Sequence, residues 1–263
     1  FSLFTSGGAE LFLRYIHYFA GVIWIGVLYY FNFIQGEWFK ELDADEKIKS
    51  SRGVAVRTLV PRALAWFRYG ALATFLSGVA LLAVKGPAFG SAMFQTSWWA
   101  FIGTGTLLGT IMFLNVWLII WPNQKIVIAS AKQIAAGGAA LPEAAAAGAK
   151  AGLASRHNTL FSLPMLFFMG AASHLPAQVN PEYNGKILAL ILIVIIGLLE
   201  LNAIKGKTDT IKITSIKGVV HMGIWGLGLR PRTARREAGM LAVPQAVFAL
   251  LCRGPALPDR RPR

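Results

Sequence analysis

The chain has 263 residues, of which 55% are hydrophobic and only 14% are charged, whereas soluble domains carry about 25% charged residues. This composition excludes a disordered or collagen-like chain and argues against an ordinary water-soluble domain. The lone cysteine, Cys252, leaves no internal disulfide and no paired-cysteine metal site. The composition indicates a polytopic membrane protein.

Five stretches come close to the roughly 20 apolar residues that a membrane helix needs. They are residues 11–35, 63–84, 98–121, 158–175 and 187–204. A sixth run begins near residue 214 and stops short of a full span at residue 229. We therefore predict an all-α fold, a polytopic transmembrane helix bundle of five to six spans or more, formed by residues 1–229.

Basic residues are concentrated in every second connection between the predicted spans. The segments 36–62, 122–157 and 205–217 hold fourteen Lys and Arg residues, and the connections between them hold only Lys85 and Lys186. By the positive-inside rule this places the N-terminus outside and the basic segments in the cytoplasm. The net charge of +14 then indicates topology and contact with anionic lipid, and no nucleic-acid partner is expected.

The cytoplasmic segment after the third span carries its own helix signals. Pro122 predicts a break or kink at its start, and Pro142-Glu143 is typical of a helix start. From there the sequence can continue as helix directly into the fourth span, where Pro164 predicts a kink.

Residues 230–263 differ from the rest in composition, with eight Arg, no Lys and five Pro. They form an Arg/Pro-rich, divergent C-terminal tail. Two interpretations stay open: a segment that did not originally follow the sixth helix, or a genuine basic tail.

All four histidines lie in or near predicted spans, and ionisable groups there are functional candidates. Depth pairs His17 with His174 on the outer side, and His157 with His221 on the inner side. Two histidines at one depth on facing helices can ligate a b-type haem iron, and His17 with His174 is the favoured pair. The alternative is an interhelical hydrogen bond, and for His157 a solvated side chain at the interface.

Charged residues within spans add candidates. Arg14 shares a helix face with His17 and could contact a haem propionate or an anionic substrate. Arg68, with Trp66, lies near the inner end of the second span. Snorkelling is the alternative for both arginines. Glu200 could pair with a basic group or handle protons.

Small residues at helical spacing predict close helix packing. They include Gly105 with Gly109, and Gly70 with Thr74 and Gly78.

Four runs together resemble one known family. They are RYIHYFAGVIWIGVLYYFNFIQG (14–36), PRALAWFRYGALATFLSG (61–78), NVWLIIWPNQK (115–125) and SRHNTLFSLPMLFFMGAASH (155–174). Over roughly residues 8–228 the chain is similar to the membrane domain of the bacterial cytochrome-c-linked urate oxidase family, also known as the urate oxidase N-terminal domain.

The resemblance implies an integral redox protein of the bacterial inner membrane that oxidises urate to 5-hydroxyisourate. Its electrons pass to cytochrome c or another carrier. By this analogy His17, His174 and His221 are redox-site candidates, and Arg14 and Arg68 are anion contacts. The cytochrome c part of the family is not recognised in this sequence.

Other functions stay open. Planar urate needs cationic and aromatic contacts, which Arg14, Tyr15, Trp24, Trp66 and Arg68 could supply. The alternative is a non-catalytic transmembrane subunit of a larger respiratory or photosynthetic electron-transfer complex. A transporter or channel is least favoured, because the spans hold few charges.

Overall fold

The structure is a computed structural model that describes residues 6–175 and scattered helical positions between 190 and 204 (190, 193, 194, 196–198, 200, 201 and 204). Most of the fifth predicted span, the sixth run, His221 and the tail 230–263 lie outside the described residues. The described part of the chain is all-helical, which confirms the fold class.

Residues 6–175 form four long helical segments joined by short connections. In chain order the elements are α1 (Ser6–Tyr29), a first π-helical turn (Tyr30–Gln35), α2 (Gly36–Ala44), α3 (Ser50–Lys85), a 3-10 segment (Gly86–Gln95), α4 (Ser97–Leu114), a second π-helical turn (Asn115–Ile120), α5 (Trp121–Ala135) and α6 (Ala144–His174).

Three of these segments are long and apolar enough to cross a membrane: Gly7–Ala44, Ser50–Gln95 and Ser97–Ala135. They contain the first three predicted spans. The fourth predicted span forms the second half of α6 but is not among these three. The chain is therefore a membrane protein by the length and composition of its helices.

Side-chain contacts show that neighbouring segments run antiparallel. Along α1 from His17 to Phe31, the partners on α3 run backwards from Ser77 to Phe67. α6 packs in the same antiparallel way along α4, where Met169 covers Gly105. α3 packs against α5, and α1 touches α6, so the four segments form a closed bundle.

Small residues let the helices approach closely, as their spacing predicts. A Cβ atom added to Gly70 would lie 3.2 Å from the backbone nitrogen of Trp24 and 3.4 Å from the carbonyl oxygen of Ala20. One added to Gly78 would lie 3.0 Å from Cε1 of His17. Backbone contact of this kind supplies van der Waals packing between membrane helices, where the hydrophobic effect does not drive association.

Large apolar side chains cover the outside of the bundle. On α1 and α3 the most exposed include Tyr15, Tyr18, Phe19, Val22, Trp66, Tyr69 and Leu76. A large exposed apolar surface would promote aggregation in water. It fits contact with lipid.

The expectations about the basic segments are wrong in part: the segments are more helical than connections between spans would be, and of the break or kink predicted at Pro122 the break is absent. Residues 36–62 and 122–157 are mostly helical, with short connections at 45–49 and 136–143. Pro122 does not break the helix: the second π-helical turn ends beside it, and α5 continues. Proline has no backbone N–H to donate. The backbone hydrogen bonds change at this point from the π-helical to the α-helical pattern, so the missing donor does not interrupt a regular stretch of helix.

The predicted helix start at Pro142-Glu143 is confirmed, because α6 begins at Ala144 and runs unbroken to His174. Pro164 lies inside this helix.

Candidate functional site

His17 is held in the seam between α1 and α3. Its Nδ1 lies 2.9 Å from the carbonyl oxygen of Thr74 and 3.3 Å from Oγ of Ser77. A carbonyl only accepts, so Nδ1 carries the proton and donates it, which leaves the lone pair on Nε2. His17 thus makes the interhelical hydrogen bond that the sequence analysis gives as the alternative to haem ligation.

The other described histidines lie on α6. His174 is exposed at its end, and its Nδ1 donates to the carbonyl oxygen of Gly170. His157 is 0% exposed, so the expectation of a solvated side chain is wrong. Its Nδ1 donates to the carbonyl oxygen of Leu153 at 3.0 Å, and its ring meets Phe161 edge-on.

The donor chemistry of His17 fits a haem ligand in one respect. A main-chain acceptor on Nδ1 fixes the tautomer that presents Nε2 to a metal, and this is the usual outer partner of a metal-bound histidine. The described contacts of His17 run to α3, and those of His174 stay within α6. The pairing of these two residues, and the role of His221, stay predictions. Within the described residues no group of three or more His, Cys, Asp or Glu side chains is placed to hold a metal ion.

The predicted anion contacts do not converge on one site. Arg14 is bound by Glu10 at 2.6 Å, and the same carboxylate oxygen lies 3.6 Å from Lys85. Arg68 stacks over the Trp121 ring, with its guanidinium carbon 3.5 Å from the centroid. Lys85 and Arg68 are 17 residues apart on α3, about 25 Å along the helix, too far to share a small ligand.

A polar network joins α4, the second π-helical turn and α6. Asn158 is 0% exposed and donates to the Met112 carbonyl oxygen at 2.9 Å, while Asn115 donates to Asn158 Oδ1 at 2.9 Å. Asn115 also donates to a carboxylate oxygen of Glu200 at 3.1 Å. Glu200, a candidate for ion pairing or proton handling, thus lies in a hydrogen-bonded network within the described part of the chain.

A cavity of about 510 Å³ lies at the end of the bundle that carries the basic connections. The first π-helical turn, α2, α3, α5 and α6 all contribute to its wall. Two of its polar lining residues were missed as site candidates in the sequence: Gln35 and Arg156. A polar residue at the edge of an apolar run was the only available signal, and snorkelling gives the same signal.

The geometry defines a membrane helix bundle with a cavity of mixed polar and apolar lining near one end. The sequence profile described as "Urate oxidase N-terminal" matches residues 87–225, more than half of the chain. The chain belongs to this family. The match covers α4, α5 and α6, and leaves the runs at 14–36 and 61–78 as resemblances only. No curated protein and no solved structure matches the chain.

Proposed function

We propose that this chain is the membrane part of a bacterial inner-membrane system that oxidises urate and passes the electrons to an external carrier. Family membership over residues 87–225 carries the proposal. The three membrane-length helices support the location, and the alternation of basic segments supports an outside N-terminus and five to six spans.

The proposed reaction is balanced by water and an electron acceptor. Urate and one water give 5-hydroxyisourate, two protons and two electrons. The new C–O bond comes from water, and the electrons leave through a redox group to cytochrome c or another carrier. The substrate is a planar anion at neutral pH, so its site needs positive charge and a flat apolar wall.

A b-type haem is the proposed redox group. When bound, it would accept electrons and pass them to the carrier. His17 is the ligand that the geometry favours, because Thr74 fixes its tautomer and Gly78 leaves room for its ring. His174 is the proposed second ligand.

The test is a reduced-minus-oxidised optical spectrum of the purified chain, combined with urate-dependent reduction of cytochrome c. We expect a b-type signal that is lost in His17→Ala and His174→Ala and is kept in Ser173→Ala. Ser173 is a suitable control because it is exposed and bonds only to its own helix. A haem signal unaffected by either histidine variant would refute the ligand assignment.

The same preparation separates the catalytic proposal from a non-catalytic subunit. Stable co-purification with other membrane subunits, with no urate-dependent electron transfer in the chain or the complex, would overturn the urate proposal.

A further inference from the structure

The cavity at the basic end of the bundle has the dimensions of a ligand site. Its volume of about 510 Å³ falls within the roughly 300–1,000 Å³ typical of small-molecule pockets. Small residues of α6, including Gly148 and Gly152, form one wall. At Gly148 the missing side chain lets α6 approach α5, since an added Cβ would lie 3.6 Å from Cγ2 of Val127.

Gln35 presents an unused acceptor in this cavity. It closes the first π-helical turn, it is only 8% exposed, and its Oε1 has no hydrogen-bond partner among residues 6–175 and the few described positions after them. A buried amide oxygen without a partner costs free energy, and an N–H group on a ligand would offset that cost. π-helical turns recur at functional sites because they redirect side chains at one point of a helix.

Arg156 supplies an uncompensated positive charge. The cavity is lined by three cations and two carboxylates, and each carboxylate already has a partner: Glu37 binds Lys40, and Asp43 binds Arg52. Arg156 has no ion pair among the described residues, and its buried Nε has no hydrogen-bond partner. A guanidinium in this state favours an anion that it can bind through two parallel N–H groups.

Aromatic side chains form part of the cavity lining. Phe31, Phe39 and Phe67 line it, and Phe31 meets Phe67 edge-on with 5.7 Å between centroids. Aromatic side chains in a lining favour a planar conjugated ligand, which can stack on a ring or meet its edge. The cavity thus offers a buried acceptor, a guanidinium without an ion pair among the described residues, and aromatic side chains. This combination suits a planar anion that carries N–H groups on its edge.

We propose that this cavity binds a small planar anion of the oxidised-purine class, with Arg156 on its anionic oxygen edge and Gln35 Oε1 accepting from a ring N–H. The inference rests on the proposed function for the choice of urate as the probe. The location of the site rests on the cavity, and it differs from the predicted contacts at Arg14 and Arg68.

The test measures urate binding to the full chain in detergent by equilibrium dialysis. Arg156→Gln removes the charge, and Gln35→Leu removes the oxygen that would accept from the ligand's N–H. We expect each to weaken binding about tenfold or more, the scale of a charge-assisted hydrogen bond. Arg62→Gln is the matched control, because Arg62 is exposed and does not line the cavity.

A second measurement does not depend on the folding of variants. Phenylglyoxal modifies accessible arginines, and mass spectrometry of the wild-type chain follows each site. Bound urate should slow modification of Arg156 and leave Arg62 unchanged. Equal modification of Arg156 with and without saturating urate would overturn the proposed site.

The outcomes distinguish the two proposals. If wild type binds and oxidises urate while both cavity variants keep its affinity, the cavity is not the site and the proposed function stands. If wild type neither binds urate nor transfers electrons from it, both proposals are overturned. If the variants lose binding while the haem spectrum is unchanged, the cavity is assigned.

Discussion

Replacing Gly70 by alanine tests the close approach of α1 and α3. The new Cβ would lie 3.2 Å from the backbone nitrogen of Trp24, 3.4 Å from the carbonyl oxygen of Ala20 and 3.2 Å from Cγ2 of Ile23. The Ile23 side chain can rotate away, but the two backbone atoms move only if the helices separate. Overpacking of this kind typically costs about 1–3 kcal/mol.

Gly26→Ala is the matched control on the exposed face of α1, where an added Cβ meets nothing within 4 Å. Both substitutions gain the same helix propensity, so that contribution cancels in the comparison. We expect Gly70→Ala to be less stable than Gly26→Ala by about 1–3 kcal/mol. The assay is reversible unfolding in mixed detergent micelles, followed by circular dichroism. Equal free energies of unfolding would refute the backbone contact.

Three further predictions concern the polar network and the topology. Asn158→Leu should lower the free energy of unfolding by about 1–2 kcal/mol in the same assay, because it leaves the Asn115 amide without its partner on α6; an unchanged stability would contradict the network. Tyr29→Phe removes the 2.9 Å hydrogen bond to Oγ of Ser162 and should cost about 0.6–1.7 kcal/mol; no loss would show that the bond is replaced by another. An impermeant maleimide should label Ser91→Cys in intact cells and Ala139→Cys only after lysis, and the reverse pattern would overturn an outside N-terminus.

Hydropathy and helix signals are enough to locate the long helices. An apolar run of about 20 residues in lipid must be helical, because each backbone N–H and C=O needs a partner that lipid cannot supply. The start of α6 was also readable, since Pro142-Glu143 precedes Ala144. Where the helices of the first and third spans end was not readable, because hydropathy marks only the apolar run while α2 and α5 continue the helices past it.

The candidate residues were predictable to different degrees. His17 was identified as an ionisable group inside a span, and Gly70 and Gly78 were identified by spacing, since both signals depend on one helix alone. Gln35 and Arg156 were missed as site residues. Each is a polar residue near the end of an apolar run, and a sequence does not distinguish one that snorkels from one that lines a cavity.

The amino-acid sequence by itself therefore determined that this is a membrane protein, that its fold is helical and which family it belongs to. Composition, the length of apolar runs and local motifs are all properties of single segments. The tertiary structure alone decided that Lys85 of α3 lies 3.6 Å from Glu10 of α1, that Arg68 lies on Trp121, and that Gln35 faces the same cavity as Arg156. Those facts depend on how four helices pack and on two π-helical turns that rotate the face each helix presents. Such rotations arise from contacts between segments distant in the chain, and no local pattern encodes them.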